Sequence, residues 1–144
     1  MTSAHTTATG LRIPVPASGT ARNATWMARL VGAALLIAIG VIHVGLASMY
    51  IDQAAYIGIL FYALLPAGLI AAALIIAGIR GGWILGVLIA AGAIIGLLLS
   101  STIGLPQFMD SLTAPGATPS LLVEIAYIAV FIVSARVKRS PLGP

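Results

Sequence analysis

The chain has 144 residues, of which 60% are hydrophobic and only 7% are charged. A soluble domain carries about 25% charged residues, so this composition is that of a membrane protein with room for one domain. The net charge is +4, but the seven Lys and Arg residues lie in the tails or at helix ends, which indicates control of membrane topology and argues against a nucleic-acid partner. Cysteine is absent, which excludes disulfides and thiolate metal sites.

The N-terminal segment precedes the membrane domain. Residues 1–24 are rich in Ala, Thr, Ser and Gly and lack apolar periodicity, so we predict a disordered cytoplasmic tail there. A four-span transmembrane domain is expected over residues 25–137, and its first span over about 30–50. Arg22 and Arg29 precede that span, and its apolar run is too long for the central region of a signal peptide.

The second and third spans are predicted at about 56–79 and 83–103. Pro66 lies inside the second span and is expected to kink it, since proline removes one backbone donor. Arg80-Gly81-Gly82 predicts a very tight turn between two antiparallel neighbours. The third span carries small residues at every fourth position, which allow close helix packing in lipid: Gly82, Gly86 and Ala90, then Gly92, Gly96, Ser100 and Gly104.

A loop of mixed character follows, and the fourth span is predicted at about 119–135, before a basic cytoplasmic tail at 138–144. The basic residues all lie before span one, between spans two and three, or after span four: Arg12, Arg22, Arg29, Arg80, Arg136, Lys138 and Arg139. The positive-inside rule therefore places both termini in the cytoplasm. The expected fold is all-α: an integral membrane four-helix bundle, up-down-up-down, multi-pass in the cytoplasmic (inner) membrane.

Polar side chains inside the spans are few, and this orientation places all of them in the outer third of the bilayer. Several share helical faces with small residues, which mark the face that meets other helices. We therefore predict a polar chamber that opens to the extracytoplasmic side, with a loop roof that includes Gln107 and Asp110. The candidate chamber residues are His43, Tyr62, Ser100, Ser101, Thr102, Glu124 and Tyr127.

Each polar residue also has a purely structural interpretation. Glu124 either extends to the headgroups or is buried and paired with His43 or with a Tyr or Ser hydroxyl. His43 either makes a structural hydrogen bond or acts as a ligand or proton relay. The hydroxyls of residues 100–102 can bond the carbonyls of their own helix. Tyr50 and Tyr56 are most simply interfacial aromatic residues.

Several chemistries lack the residues that they need. A haem held by two histidines is excluded because His5 lies in the tail, which leaves His43 alone in the spans. One His and one Glu are too few ligands for a single-chain zinc or copper site, so no metal and no cofactor are expected. A phosphate-binding loop and a G-x-S-x-G motif are absent. A Ser–His arrangement is geometrically possible, but nothing marks a nucleophile.

Three stretches occur in order after His43: AYIGILFY (55–62), LSSTIGLP (99–106) and SLLVE (120–124). In this order they resemble a family of small, functionally unassigned four-span membrane proteins common in actinobacteria, and the similarity covers about Ile42 to Glu124. Family members typically carry YLG-x-LY, LSRTTGLP and SL-x-x-E in that order. Ser101 stands where the family usually has an arginine, so a charge-pair mechanism does not carry over. The resemblance implies the architecture and no activity.

The sequence does not define the molecular activity, and it favours three functions in the order in which they follow. The first is a non-enzymatic accessory or interaction subunit, as a homo-oligomer or in a larger membrane complex, which the small-residue faces favour. The second is a small-molecule or proton-coupled carrier that uses His43 and Glu124 in the outward-facing chamber. The third is an enzyme that acts on a lipid or quinone, for which no catalytic constellation can be assembled. Membrane lipid is the one partner common to all three.

Overall fold

The computed structural model describes residues 19–137, which form four α-helices. These are α1 (Gly19–Ile51), α2 (Ala55–Ile76), α3 (Arg80–Thr102) and α4 (Ala117–Val137). The all-α prediction is confirmed. All four helices are long and apolar enough to cross a membrane, which indicates a multi-pass membrane protein. The tail predictions for residues 1–18 and 138–144 lie outside the described residues.

The first helix begins earlier than the apolar pattern predicts. It starts at Gly19, inside the segment that was expected to be a disordered tail, and it runs for 33 residues. Residues 20–29 contain no Gly or Pro, and their Ala and Arg residues have high helix propensity. The hydrophobic pattern marks the part of α1 that is apolar enough for the membrane, whereas the helix itself begins further towards the N-terminus.

The turn between α2 and α3 is placed differently from the sequence prediction. Gly78 has a φ of +81°, and its left-handed conformation ends α2 just before the connection. Arg80, Gly81 and Gly82 instead form the first residues of α3. Gly82 serves the packing of α3 on α2 rather than a turn, because a Cβ there would lie 2.7 Å from the Leu74 Cβ.

Each helix packs against its neighbour in the chain, and α4 also packs against α1, so that the four form a ring in which the α1–α2 contact is the most extensive. Glycines allow this contact. A Cβ at Gly40 would lie 2.8 Å from the Leu65 Cα, and one at Gly68 would lie 2.8 Å from the Leu36 carbonyl oxygen. The backbones of α1 and α2 therefore touch with no side chain between them.

Side chains fill the ring near the Gly78 turn. The buried core there comprises Ala33, Leu36, Ile39, Ala71, Ala72, Ile75, Trp83, Ile89, Ala90 and Tyr127. A second, smaller cluster lies near the turn between α1 and α2 and comprises Tyr50, Ala54, Ile57 and Phe108. The space between these two clusters is where the helices are least closely packed.

The packing between α2 and α3 stops part of the way along the helices. Gly82 is in close contact with Leu74, and the same antiparallel register would pair Gly92 with Leu64 and Gly96 with Leu60. A Cβ at Gly92 or Gly96 would meet nothing within 4 Å. The small-residue stripe of α3 therefore does not face a helix here, and α2 and α3 diverge towards the end that carries the α3–α4 loop.

Two glycines of α1 provide a matched test of the α1–α2 contact. Gly40→Val should lower the free energy of unfolding by about 1–3 kcal/mol, because the new side chain overlaps the α2 backbone. Gly45→Val should leave stability unchanged or raise it slightly, since a Cβ at Gly45 meets nothing within 4 Å. Unfolding in mild detergent, followed by circular dichroism, measures both. Equal stability of the two variants would contradict the close approach at Gly40.

Candidate functional site

A cavity of about 620 Å³ occupies the space left by the divergence of α2 and α3. All four helices and the α3–α4 loop contribute to its wall. Most of the wall is apolar, and its main α2 and α3 contributions are Ile57, Leu60, Phe61, Leu64, Leu88, Ile89, Gly92, Ala93, Gly96 and Leu97. The polar contributions are fewer: His43, Tyr50, Tyr56, Ser100, Asp110 and Ser120. Binding pockets for small molecules have this composition and commonly measure about 300–1,000 Å³.

One side of the cavity faces the surroundings of the bundle. Leu60 on α2 is 56% exposed and Leu88 on α3 is 65% exposed, although both line the cavity. Gly92 between them is also exposed. In a membrane this surface lies against acyl chains, so the gap between α2 and α3 connects the cavity with lipid.

The α3–α4 loop closes the end of the cavity and is held by two tyrosines. Tyr50 donates a hydrogen bond of 2.8 Å from its hydroxyl to Asp110 Oδ2. Tyr56 donates one of 2.8 Å to the Pro106 carbonyl. The Asp110 amide in turn donates to the Ser100 carbonyl at 3.1 Å. The loop is therefore tied to α1, α2 and α3, and both tyrosines do more than line an interface.

The first part of this loop is a compact turn. Leu105 and Phe108 exchange two backbone hydrogen bonds of 2.7 and 2.9 Å. Pro106 and Gln107 occupy the centre of the turn, where Gln107 has a φ of +58°. Gln107 is exposed and does not line the cavity, whereas Phe108 is buried and does. In this roof Gln107 shapes the backbone, and Phe108 and Asp110 supply the inner surface.

Aromatic rings form one wall of the cavity. His43 meets Phe61 edge to face, with ring centroids 4.7 Å apart. Phe61 contacts Tyr50 at 5.1 Å, and Tyr50 contacts Phe108 at 5.4 Å. These contacts form a continuous row from the middle of α1 to the loop. Such pairs prefer offset or edge-to-face geometry and hold each other in position.

His43 and Glu124 meet at the inner end of this row. His43 is 5% exposed and Glu124 is 1% exposed. Their atoms Nε2 and Oε1 lie 3.7 Å apart. Ser120 donates a hydrogen bond of 2.6 Å to Glu124 Oε1, and Glu124 Oε2 is buried without a partner. His43 and Ser120 line the cavity, and Glu124 lies behind them.

The hydrogen bonds of His43 determine which of its nitrogens faces Glu124. Nδ1 lies 2.8 Å from the Ile39 carbonyl oxygen, and a carbonyl only accepts, so Nδ1 carries a proton. Nε2 therefore faces the carboxyl group either with a proton of its own or with a lone pair. The 3.7 Å separation from Oε1 is longer than a hydrogen bond, so the contact brings a base and an acid side by side in the core of the bundle.

The remaining predicted chamber residues lie elsewhere. Tyr62 is 46% exposed and does not line the cavity. Ser101 and Thr102 donate to the carbonyls of Leu97 and Leu98 in their own helix. Ser100 also bonds its own helix, at Leu97, but it is buried and lines the cavity.

Tyr127 lies in the closely packed core near the Gly78 turn. It is fully buried, its ring packs on Trp83 at 6.1 Å, and its hydroxyl donates to the Trp83 carbonyl at 3.2 Å. Gly86 leaves room for the hydroxyl. Among the described residues, no Ser or Thr hydroxyl bonds to His43, so the Ser–His arrangement is not formed.

Comparison with protein-family models, curated proteins and solved structures gives no match to this chain. The resemblance to the four-span actinobacterial family stays a prediction. Within residues 19–137, no group of three His, Asp or Glu residues is placed to hold a metal ion. The functional argument therefore depends on the cavity and on the side chains around it.

A double-mutant cycle tests the His43–Glu124 contact. His43→Leu and Glu124→Leu should each destabilise the protein, because each leaves a buried polar partner unmatched. The double variant should lose less free energy of unfolding than the two single losses added together. The difference, which is the coupling free energy, should be about 0.5–3 kcal/mol. Unfolding in detergent measures all four proteins.

The control cycle combines Glu124→Leu with Tyr62→Phe. Tyr62 is half exposed and lies outside the site, so these two changes should be additive. Additive behaviour of the His43 and Glu124 changes as well would show that the two side chains do not interact.

Proposed function

We propose that this protein is a small-molecule carrier of the membrane, which takes an amphiphilic compound from the lipid phase into the cavity between α2 and α3. The observation that carries the proposal is the cavity itself. It has an apolar wall, a polar end, and exposed lining residues on the lipid-facing side. An apolar ligand body fits the apolar wall, and a polar headgroup fits the polar end.

The size of the cavity favours a small molecule over a partner helix. A membrane-spanning helix is about 10 Å across and about 30 Å long, and it fills about 2,400 Å³. The cavity holds about 620 Å³. The accessory role predicted from small-residue faces therefore ranks second: it is favoured by the open Gly92 and Gly96 surface, which a partner's side chains can enter but a whole helix cannot.

The membrane placement follows from charge. The basic residues of the described range lie at the beginning of α1, the beginning of α3 and the end of α4: Arg22, Arg29, Arg80 and Arg136. The acidic loop residues Asp52 and Asp110 lie at the other ends of the helices. With basic ends in the cytoplasm, the protein is an up-down-up-down bundle of the cytoplasmic membrane with both termini inside. The cavity then opens in the outer half of the bilayer.

Proton coupling is the finer form of this proposal. His43 lines the cavity and contacts Glu124, so a ligand in the cavity lies next to a buried acid and base between which a proton can move. An enzymatic role in lipid or quinone chemistry has less support. The lining hydroxyls of Tyr56 and Ser100 donate to backbone carbonyls. Those of Tyr50 and Ser120 donate to Asp110 and Glu124. Among the described residues no Ser or Thr hydroxyl is paired with His43 as a nucleophile would be with its base.

The proposal is tested with hexadecanol that carries a photoactivatable diazirine, in lipid vesicles that contain the protein. Labelling of the cavity wall should saturate with probe concentration. Gly96→Leu should reduce the saturable labelling by at least about tenfold, because the leucine side chain enters the cavity. Fragment mass spectrometry locates the label on α2 and α3.

Gly45→Leu is the matched control, since Gly45 also has nothing within 4 Å but lies outside the cavity. It should label as the unmodified chain does. Non-saturable labelling spread over all lipid-facing positions, and equal in both variants, would overturn the proposal. Loss of saturable labelling only when a second protein is co-purified would favour the accessory role instead.

A further inference from the structure

Among the residues that the structure describes, Asp110 is the one acidic residue in the lining of the cavity. Asp110 contributes a carboxylate to the lining, and the carboxyl group of Glu124 lies behind His43 and Ser120. Within residues 19–137, neither Lys nor Arg lines the cavity. Of the ionisable lining groups, only His43 can carry positive charge, and it faces Glu124. His43 and Glu124 face each other, so the field at the polar end of the cavity is set mainly by Asp110.

The described arginines lie too far away to balance this field. Arg29 packs near Gly78, at the α2–α3 turn. Tyr50, which holds Asp110, lies 21 residues further along α1, which is about 30 Å along the helix axis. Arg22 precedes Arg29, and Arg80 begins α3 beside the same turn. Arg136 lies in the last turn of α4, whose first turn lines the cavity. An anionic headgroup near Asp110 would meet a carboxylate with no described Lys or Arg close by, at an electrostatic cost.

The aromatic residues of the lining also favour a cationic ligand. Tyr50, Tyr56, Phe61 and Phe108 all line the cavity. Aromatic rings attract organic cations through the negative potential of their faces, by about 0.5–2 kcal/mol for each well-placed ring. Organic ammonium ions are recognised in proteins by this combination of aromatic rings and a carboxylate.

An inorganic cation fits poorly. A divalent metal ion needs about six oxygen ligands to replace its water shell. The cavity wall offers one carboxylate and a few hydroxyls among mostly apolar side chains. A cation that carries its own apolar body loses far less hydration and contacts the apolar wall directly.

We propose that the ligand of this cavity is a lipophilic organic cation, such as an alkyl or aryl amine, with its charge near Asp110 and its apolar body between α2 and α3. This inference rests on the proposed function and deepens it by naming the ligand class. Asp110 then supplies charge complementarity, and the row of aromatic side chains from Phe61 to Phe108 supplies the contact surface.

Two ions of matched size and opposite charge test the proposal. Tetraphenylphosphonium and tetraphenylborate have nearly the same shape, so a difference in their binding reports the sign of the field. The protein is placed in nanodiscs of zwitterionic lipid, and bound radiolabelled ion is measured by equilibrium dialysis. Nanodiscs with the Gly96→Leu variant give the background from lipid partitioning. The phosphonium should show saturable binding above this background, and the borate should not.

A second pair of variants separates the charge of Asp110 from its role as a tether. Asp110→Asn keeps the size and an acceptor for Tyr50 but removes the charge, and it should weaken phosphonium binding by about tenfold. Tyr50→Phe removes the same hydrogen bond but keeps the ring and the charge of Asp110, so it should weaken phosphonium binding clearly less than Asp110→Asn does. Size-exclusion chromatography verifies that each variant is folded.

The outcomes distinguish this inference from the proposed function. Saturable borate binding equal to that of the phosphonium would overturn the cation assignment. Equal losses of phosphonium binding in Asp110→Asn and Tyr50→Phe would also overturn it, because they would show that Asp110 acts only by holding the loop through its hydrogen bond with Tyr50. If the diazirine alcohol labels the cavity but neither ion binds, the cation assignment fails and the carrier proposal stands. If the alcohol and both ions fail, both proposals fall.

Discussion

Direct contact between helix backbones at glycine is the interaction on which this structure depends. In lipid, helices gain little from hiding apolar side chains, because acyl chains are equally apolar. Close approach at Gly40 and Gly68 gives α1 and α2 van der Waals contact that larger residues would prevent. Gly82 gives α3 the same contact with α2 at one end only. The cavity exists because that contact is not continued at Gly92 and Gly96.

The positions of the buried polar groups depend on the same difference between the closely packed and the open parts of the bundle. Where the ring of helices is solid, Tyr127 is the main polar side chain, and its hydroxyl is satisfied by a backbone carbonyl. Where the ring is open, His43, Ser120 and Glu124 can be buried together, with one carboxyl oxygen left without a partner. A buried carboxyl group costs free energy unless it is paired, so a cluster of this kind in an otherwise apolar bundle is more typical of a functional site than of a packing device.

Sequence and structure agree where the signal is a long apolar run. The four helices follow from length and hydropathy, and the polar character of residues 43, 100 and 124 is evident from the chain alone. Other features need three-dimensional information. The spacing of Gly92 and Gly96 shows that a helix could approach α3, but not whether one does. Tyr50 and Asp110 lie 60 residues apart, and no local pattern indicates their hydrogen bond. Tyr62 shares a helical face with Gly58 and Pro66, yet it is half exposed, because α2 buries a neighbouring face against α1.

The divergence of α2 and α3 is tested most directly by disulfide formation between introduced cysteines, which the cysteine-free chain makes unambiguous. A disulfide requires Cα atoms within about 7 Å. The pair Leu74→Cys with Gly82→Cys joins positions in contact, and it should cross-link rapidly under mild oxidation in lipid vesicles. The pair Leu60→Cys with Gly96→Cys would be opposite each other in the same antiparallel register of α2 and α3. It lies on two sides of the cavity, however, so it should remain reduced. Equally rapid cross-linking of both pairs would show that the two helices stay together along their length, and the cavity would not exist.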